Sequence, residues 1–377
     1  MNAFIVDIAS FLPNTPISND RMEELLGMVG RLPSRTRKII LRSNGIKTRY
    51  YAIDPLSGAM THNNARLTAE AVKRLDGYTR MELLCCGTST PDQLMPGHAS
   101  MVHGELARGP LETTTTSGIC LSGLNALKYT ALAVASGEFA HGVATGSEAA
   151  SGYFRSSILK GCGAEKADAL VEIPHLSFEA DFLRWMLSDG AGACLVSGKI
   201  KTGGVSLRID WIDILSHAQR FEPCMYAGAI KNPDGTLRGW REFPSLREAE
   251  TKEAFAIKQD VRLLNEHIIP MIVRDTLAPV AAKHGLRPEK VTWYLPHYSS
   301  DYFRLKLAAG MEEIGFTIPL KRWFTNLATK GNTGSASIYI MLEELFHSGT
   351  LRVGDTILCM IPESGRFSCG FMHLSVV

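Results

Sequence analysis

The 377-residue sequence lacks the features that mark membrane, secreted and nucleic-acid-binding proteins. No apolar run reaches the roughly 20 residues that a membrane-spanning helix requires. Residues 1–7 contain no basic stretch and reach an aspartate early, unlike a secretory signal. The formal net charge is +2, so no strong field of one sign indicates nucleic acid or a membrane surface as a partner. We therefore expect a cytoplasmic protein.

Common signatures of cofactor and metal chemistry are also missing. The sequence contains no Gly-x-Gly-x-x-Gly fingerprint, no P-loop and no His-Glu-x-x-His motif. Its eight cysteines are scattered, without the spacing of a zinc site or the density of a disulfide-rich scaffold. We expect most of them to be reduced and structural. The length allows a large core and two domains or two fused halves.

Short apolar runs alternate with helical patterns, which is typical of an α/β protein. Strands are predicted at residues 4–8, 83–86, 111–115, 142–144, 192–196, 207–214, 292–295, 356–359 and 371–376. Helices are predicted after Cys120 and at about residues 252–284, 302–314 and 335–347. In each half a strand leads into a glycine-flanked turn and a small-residue helix, at residues 117–135 and 331–346. This pattern predicts a fused duplication with its boundary near residues 197–205.

Cys120 lies where a β-branched strand passes into a helical pattern, in the run Thr113-Thr114-Thr115-Thr116-Ser117-Gly118-Ile119-Cys120. A helix N-terminus carries partial positive charge and unpaired N–H groups, which lower a thiol pKa toward the reactive thiolate. We therefore predict a nucleophilic cysteine with a lowered pKa. The alternative is a buried core cysteine, which is the commoner fate of this residue type.

Two further segments place polar groups where strands or turns end. One is Leu295-Pro296-His297, and the other is the turn Gly331-Asn332-Thr333-Gly334. A thiolate that attacks a thioester needs donors for the oxygen that becomes negative, and His and Asn side chains supply two. Each segment alone has an ordinary structural interpretation, as a satisfied histidine or as a turn or cap.

In this order and spacing, the segments resemble the β-ketoacyl-ACP synthase III family of the thiolase superfamily. The matching segments are Asn44-Gly45-Ile46-Lys47-Thr48-Arg49, Cys120, Ser188-Asp189-Gly190-Ala191-Gly192-Ala193, Pro296-His297, Gly331-Asn332-Thr333-Gly334-Ser335-Ala336-Ser337 and Glu363-Ser364-Gly365-Arg366-Phe367. The resemblance implies an α/β thiolase fold with two similar halves in a five-layer αβαβα arrangement. Residues 1–200 would carry the nucleophilic cysteine, and residues 201–377 the histidine and the asparagine.

The resemblance also implies the roles of the site residues. Cys120 is acylated by a thioester, and the backbone N–H groups of Cys120 and Gly365 form the first oxyanion hole. His297 and Asn332 hold the carbonyl of a second thioester, whose carbanion attacks the acyl group and forms a carbon–carbon bond. No metal or bound cofactor is implied, because the acyl groups arrive on the phosphopantetheine of acyl carrier protein or coenzyme A.

Three segments depart from the family pattern. His297-Tyr298-Ser299-Ser300 stands where the family has His-Gln-Ala-Asn, which removes the asparagine that supports the loop. Ser364-Gly365-Arg366-Phe367 keeps one glycine and places a cation near the site, directed either at solvent or at a polar substrate group. Residues 148–188 form a longer segment that either covers or lengthens an acyl tunnel or is a surface elaboration.

The carrier is predicted from an absence, since residues 30–43 lack the tryptophan that stacks on coenzyme A in the family. This segment is basic and contains Arg31, Arg35, Arg37, Lys38 and Arg42. Basic residues suit an acidic acyl carrier protein or a phosphopantetheine phosphate, although a solvated basic loop needs no partner. Arg42, Lys47 and Arg304 are the predicted contacts.

The resemblance further implies a homodimer in which a loop of one subunit enters the acyl pocket of the other. In Asp92-Gln93-Leu94-Met95-Pro96-Gly97 the entering residue is Met95, whose flexible thioether suits acyl chains of varied length. The structural alternative is that Met95 only fills the dimer interface.

Two other functions remain open at the sequence level. A degradative thiolase has a second catalytic cysteine near the C-terminal glycine loop, and Cys359 and Cys369 stand at the wrong distances from Gly365 for this role. A non-catalytic partner subunit is the second alternative, and retention of Cys, His and Asn together argues against it. Within the family, the departures favour secondary metabolism, for example of the dialkylresorcinol-forming type, over the first step of fatty-acid synthesis.

Overall fold

A computed structural model describes residues 2–28, 34, 36–156 and 182–377. Within these residues the chain forms a nine-stranded sheet with the strand order β7-β8-β9-β6-β1-β5-β4-β2-β3. The strands are β1 Phe4–Phe11, β2 Leu83–Thr88, β3 Glu112–Ser117, β4 His141–Glu148, β5 Gly190–Ser197, β6 Leu207–Ser216, β7 Trp293–Pro296, β8 Thr356–Glu363 and β9 Ser368–Val376. Three short strand pairs lie outside this sheet: Ile17–Ser18 with Thr48–Arg49, Met225–Tyr226 with Lys258–Gln259, and Ala229–Lys231 with Leu237–Gly239.

The helices flank the sheet and connect its strands. Those of the described residues are α1 Met22–Leu26, α2 Arg37–Asn44, α3 Asn64–Lys73, α4 His98–Leu106, α5 Leu121–Ala135, α6 Ser151–Phe154, α7 Leu246–Thr251, α8 Val261–Pro270, α9 Ala278–His284, α10 Arg304–Glu313, α11 Leu327–Lys330 and α12 Ser337–His347. A π-helix, Met271–Leu277, joins α8 to α9. Among the described helices, none combines the length and the apolar character needed to cross a bilayer.

Helices cover both faces of the sheet. Alternate residues of β8 demonstrate this, because Ile357 and Cys359 belong to the core formed with α5 and α12, whereas Leu358 and Met360 belong to the core formed with α8 and α10. On this second face, α3 and α4 cover the end of the sheet that contains β2 and β4. A strand buried on both faces is apolar at successive positions, which is why these strands are evident in the sequence as short apolar runs.

Strands from the N-terminal part of the chain form one group in the sheet, and strands from the C-terminal part form the neighbouring group. The group from residues 4–197 includes β2 running parallel to β3 and β4, and the group from residues 207–376 includes β7 running parallel to β8. The groups meet where β1 pairs with β6. The predicted division at residue 200 into two similar halves stays a prediction.

Glycines allow α12 to approach the sheet and α5 at backbone distance. A Cβ atom at Gly146 would lie 2.2 Å from the carbonyl oxygen of Ser335, and one at Gly123 would lie 2.4 Å from the same oxygen. At Gly192 a Cβ atom would lie 2.2 Å from the Cβ of Tyr339. The Tyr339 hydroxyl donates a hydrogen bond of 2.9 Å to the carbonyl of Gly123. This contact holds the beginnings of α5 and α12 close together.

All nine predicted strands are present, with longer bounds in most cases, and the helix after Cys120 is present as α5. The single helix predicted over residues 252–284 is wrong in its first part. Lys252 ends α7, Glu253 has a positive φ of 58°, and Lys258–Gln259 pairs with a distant strand before α8 begins at Val261. The turn at Gly331 also differs from the prediction, because it follows the short helix α11 and not a strand.

Candidate active site

One cavity brings together the three side chains that the sequence singled out. Cys120, His297 and Asn332 all line it, although they come from three separate places in the fold. Cys120 precedes α5, His297 follows β7, and Asn332 lies in the turn between α11 and α12. The cavity has an empty volume of about 880 Å³, part of which is open to solvent.

The cysteine elbow, residues 117–121, is formed as β3 ends and α5 begins. Gly118 has a φ of 153°, a conformation that side chains rarely adopt, and the chain then turns directly into the helix. The Ser122 N–H donates to the Ile119 carbonyl at 3.2 Å, and the Thr116 hydroxyl donates to the Ser122 carbonyl at 2.7 Å. These bonds place the Cys120 side chain at the N-terminal end of α5, as the sequence predicted.

The predicted lowering of the thiol pKa is wrong. Burial, Glu363 and Glu148, in that order, raise the pKa of the Cys120 thiol well above its usual range. Burial is the largest cause, and two of the N–H donors expected to stabilise a thiolate already bind a carboxylate. Glu363 Oε2 accepts hydrogen bonds from the N–H groups of Ile119 at 2.9 Å and Leu121 at 3.1 Å. The thiol is therefore neutral at physiological pH.

The His297 ring is buried and faces the cavity. Burial lowers the pKa of His297 to about 4, so the imidazole is neutral at pH 7 and carries one N–H donor. Neither ring nitrogen makes a hydrogen bond within the described part of the chain. The loop at residues 297–300, which lacks the asparagine of the family pattern, is held by other hydrogen bonds. The His297 N–H donates to the Met360 carbonyl at 2.8 Å, and the Ser300 hydroxyl accepts from the Tyr302 N–H at 3.4 Å.

The Asn332 side chain is oriented by its own turn. Its Oδ1 accepts a hydrogen bond of 2.9 Å from the Gly334 N–H. The backbone of Asn332 is also held, because its N–H donates to the Met186 carbonyl and its carbonyl oxygen accepts from the Ser188 N–H. Since Oδ1 is occupied, the amide nitrogen is the group left for the cavity. Among the described residues it has no hydrogen-bond partner. The site thus presents two neutral N–H donors, from Asn332 and His297.

Glu148 is a cavity residue that the sequence reasoning missed. It ends β4, is 3% exposed, and burial raises the pKa of its carboxyl group. It accepts hydrogen bonds from the Ser89 and Thr90 hydroxyls at 2.7 and 2.8 Å and from the Ser335 N–H at 3.1 Å. Glu148 therefore joins the end of β4 to the start of α12. A carboxylate directly after a buried strand, in Gly146-Ser147-Glu148, was the available signal.

Most of the remaining cavity wall is apolar. Side chains from α8 and the π-helix form one part, and those that follow the segment at 157–181 form another. These residues are Leu264, Ile268, Ile269 and Ile272, with Phe182, Leu183, Met186 and Leu187. Much of the 148–188 segment, at 157–181, lies outside the described residues, whereas its last part lines the cavity. Such a wall suits an alkyl chain.

The glycine turn, residues 364–367, joins β8 to β9 beside the cysteine elbow. The Gly365 Cα faces Ile119, since a Cβ atom there would lie 3.0 Å from the Ile119 side chain. The Gly365 carbonyl accepts from the Cys224 N–H at 2.8 Å. Arg366 is exposed, and its Nε donates to the Phe221 carbonyl at 2.8 Å. Ser364 contributes to the cavity wall.

The other predicted site residues lie outside the cavity wall. Met95 is 84% exposed, Arg42 and Lys47 are exposed, and Arg304 is half-buried at the start of α10. Of the basic residues at 30–43, Arg31 and Arg35 lie outside the described residues. The Arg37 guanidinium bonds the carboxylates of Asp20 at 2.9 Å and Glu23 at 3.3 Å and lies over the Trp185 ring, so this cation is directed inward.

Comparisons with known proteins find similar sequences. A family model described as the C-terminal part of 3-oxoacyl-[acyl-carrier-protein] synthase III matches residues 281–370. The β-ketoacyl-[acyl-carrier-protein] synthase III of Clostridium perfringens is 22% identical over 381 residues, which cover 98% of each protein. Synthase III 3 of Streptomyces coelicolor is 25% identical over 368 residues, covering 94% of this chain and 91% of that protein.

Solved structures resemble the whole fold. The tetronic acid condensing enzyme AbyA1 matches with a TM-score of 0.74 at 18% identity, covering 99% of both chains. An OleA variant of Xanthomonas campestris, solved with lauric acid and lauroyl-CoA, has a TM-score of 0.74 at 18% identity and covers 100% of this chain and 99% of that one. The 3-oxoacyl-[acyl-carrier-protein] synthase III of Aquifex aeolicus has a TM-score of 0.67 at 19% identity, with 99% coverage of both.

The fold is therefore the one that these synthases and condensing enzymes share, the thiolase fold. The chain is similar to β-ketoacyl-ACP synthase III proteins over nearly its whole length, and this similarity supports a condensing, acyl-transferring enzyme.

Proposed function

We propose that the protein acylates Cys120 from an acyl thioester and then extends the acyl group by a Claisen-type condensation. In the first step the Cys120 sulfur displaces the carrier thiol, which leaves with the proton of the cysteine. In the second step a malonyl thioester loses carbon dioxide, or a β-ketoacyl thioester gives up a proton to water, to form a carbanion. That carbanion attacks the acyl carbonyl and releases the Cys120 thiolate, which regains a proton.

The observation that carries this proposal is the convergence of Cys120, His297 and Asn332 on one apolar-walled cavity. The neutral His297 and the oriented Asn332 amide supply two N–H donors for the oxygen of an enolate. The backbone N–H groups of Cys120 and Gly365 are assigned to the acyl carbonyl. The apolar wall is assigned to the alkyl part of the substrate.

The two alternative functions receive less support. Cys359 and Cys369 lie fully buried in β8 and β9, and neither lines the cavity, so a second catalytic cysteine for a degradative thiolase is lacking there. A non-catalytic subunit has no need of two free N–H donors in the wall of the cavity that Cys120 also lines. The retained donors favour an active synthase.

We assign delivery of the acyl groups to acyl carrier protein, with coenzyme A as the other carrier of the same phosphopantetheine arm. Arg42, Lys47 and Arg304 are the proposed contacts, and the exposure of Arg42 and Lys47 suits an acidic carrier surface. The enzyme is proposed to act in the cytoplasm as a homodimer, in fatty-acid or polyketide biosynthesis. The departures at Ser300 and Arg366 favour a secondary-metabolite role.

Intact-mass spectrometry tests the first step. The protein is incubated with a panel of acyl-CoA and acyl-carrier-protein thioesters, and the acyl mass retained on the chain is recorded. Cys120→Ala should abolish both acyl retention and product formation. Cys224→Ala is the matched control, because it removes a buried thiol beside the Gly365 turn and should still be acylated. Acylation of the Cys120→Ala variant, with product formed, would contradict the assignment.

A further inference from the structure

Glu363 lies at the N-terminal end of α5 and is not among the residues that line the cavity, although its neighbours Pro362 and Ser364 are. Its Oε2 accepts hydrogen bonds from Ile119 and Leu121, the two residues that flank Cys120. The carboxylate thus binds both neighbours of the reactive residue from a position 244 residues further along the chain than Ile119. None of the roles assigned above involves this side chain.

The charge of Glu363 exceeds the charge that the helix supplies. A helix N-terminus is equivalent to roughly half a positive elementary charge, and ionised Glu363 contributes one full negative charge at the same place. The net field at the sulfur is therefore unfavourable to a thiolate. Burial and Glu148 act in the same direction, and together these three causes raise the pKa of Cys120.

Glu363 also connects two parts of the oxyanion hole proposed above. It is the last residue of β8, and the turn that contains Gly365 follows directly. The same turn packs on Ile119, whose side chain lies 3.0 Å from the position of a Cβ atom at Gly365. The two hydrogen bonds of Glu363 therefore hold the Gly365 turn against the cysteine elbow.

We propose that Glu363 is a positioning residue that links the Gly365 turn to the cysteine elbow and keeps the Cys120 thiol neutral in the free enzyme. The inference rests on the proposed role of Cys120 as the nucleophile. A neutral thiol reacts slowly with electrophiles, because the thiolate is the nucleophilic form. The arrangement thus protects the free enzyme from unproductive modification of Cys120.

The other titratable groups that face Cys120 remain unchanged when Glu363 is replaced. In the cavity wall these groups are Glu148, His297 and Tyr298. His297 is neutral above about pH 4, and burial raises the pKa of Glu148 and of Tyr298. A difference in the pH dependence of Cys120 reactivity between the wild type and a Glu363 variant is consequently caused by the change at Glu363.

The test is the pH dependence of Cys120 alkylation by iodoacetamide, followed by intact mass, with Cys120→Ala identifying the signal from this residue. Glu363→Gln keeps an oxygen acceptor for the two N–H groups and removes the charge. It should lower the midpoint of alkylation by about one pH unit, which gives about tenfold faster alkylation at pH 7. Glu312→Gln, an exposed position on α10, is the matched control and should leave the midpoint unchanged.

Glu363→Asp separates the effect of the two hydrogen bonds to the elbow from the effect of the negative charge. The carboxylate remains, but its shorter side chain cannot reach both N–H groups without movement of the turn. The alkylation midpoint should stay close to that of the wild type, while acylation of Cys120 by a thioester becomes slower. The conservative pair of variants therefore distinguishes an electrostatic from a positional contribution.

An unchanged alkylation midpoint in folded Glu363→Gln would overturn the electrostatic part. If Glu363→Gln fails to fold, Glu363→Asp decides, and acylation at the wild-type rate in that variant would overturn the positioning role. Alkylation requires no acyl substrate, so a wild-type protein that alkylates as expected but accepts no acyl group would refute the proposed function and leave the effect of Glu363 on the thiol standing.

Discussion

Replacement of Asn332 by alanine should separate the two half-reactions of the proposed mechanism. The Asn332 amide nitrogen is available to the cavity because Oδ1 is held by the Gly334 N–H at 2.9 Å. The donor is assigned to the second thioester and not to the acyl group on Cys120. Asn332→Ala should therefore be acylated on Cys120 normally and fail at condensation.

The expected loss follows from the number of donors at the site. His297 and Asn332 provide one N–H each, so the variant keeps one of the two. Removal of one preorganised oxyanion donor costs about 2.7–4 kcal/mol of transition-state stabilisation. At about 1.4 kcal/mol for each factor of ten, condensation should slow by about 100- to 1,000-fold. Asn332 is 4% exposed, so bulk water does not readily replace the missing donor.

The assay measures the two steps on the same sample. Intact mass gives the acylation of Cys120, and a single-turnover reaction with an added malonyl or β-ketoacyl thioester gives the rate of product formation. Asn332→Asp is the control for orientation, because it keeps an acceptor for the Gly334 N–H without the donor and should be as slow as Asn332→Ala. Condensation by Asn332→Ala within a few-fold of the wild-type rate would show that Asn332 is structural.

Three further predictions test the dimer, the packing and the electrostatics. Met95→Trp should shorten the preferred acyl chain in competition between donors and leave the dimer intact by light scattering; an unchanged preference or a monomeric wild type would contradict it. Gly146→Ala places a Cβ 2.2 Å from the Ser335 carbonyl oxygen and should lower the free energy of unfolding by about 1–3 kcal/mol or more. The control Gly104→Ala, at a position on α4 that faces open space, should not lower it. Equal denaturation midpoints for the two variants would refute this reasoning. Burial lowers the pKa of His297 from 6.5 to about 4, so between these pH values the unfolded chain binds more protons than the folded chain. As the pH falls from 6.5 to 4, the free energy of unfolding should therefore decrease by about 3 kcal/mol through His297. Denaturant titrations of His297→Asn should show a shallower decrease, and identical pH slopes would contradict this prediction.

The strands and the helix after Cys120 were predictable because their signals are local. Apolar runs such as that of β8 and the helical spacing of Leu121, Leu124 and Leu127 follow from burial of the same elements. The region after Lys252 was not predictable in this way, because Lys258–Gln259 becomes a strand only through pairing with Met225–Tyr226. Long-range pairing leaves little trace in a single stretch of sequence.

The site shows the same division between local and distant causes. The elbow at Cys120 and the turn at Asn332 are evident locally, and the resemblance to a family suggested that they meet. The raised pKa of Cys120 was not predictable, because Glu363 reaches α5 only after the chain has folded. Arg37 gives a second example, since its ion pairs with Asp20 and Glu23 were not evident from the basic composition of residues 30–43.

The backbone contact between α5 and α12 has an entropic consequence. Glycines at 123 and 146 let the Ser335 carbonyl approach main-chain atoms directly, so the distance between the two helix starts does not depend on the rotamer of an intervening long side chain. Ordering a side chain costs up to about 2 kcal/mol of conformational entropy, and a glycine has none to lose. Cys120, directly before α5, and Asn332, a few residues before α12, are therefore held in mutual register by parts of the chain that have few alternative conformations when folded.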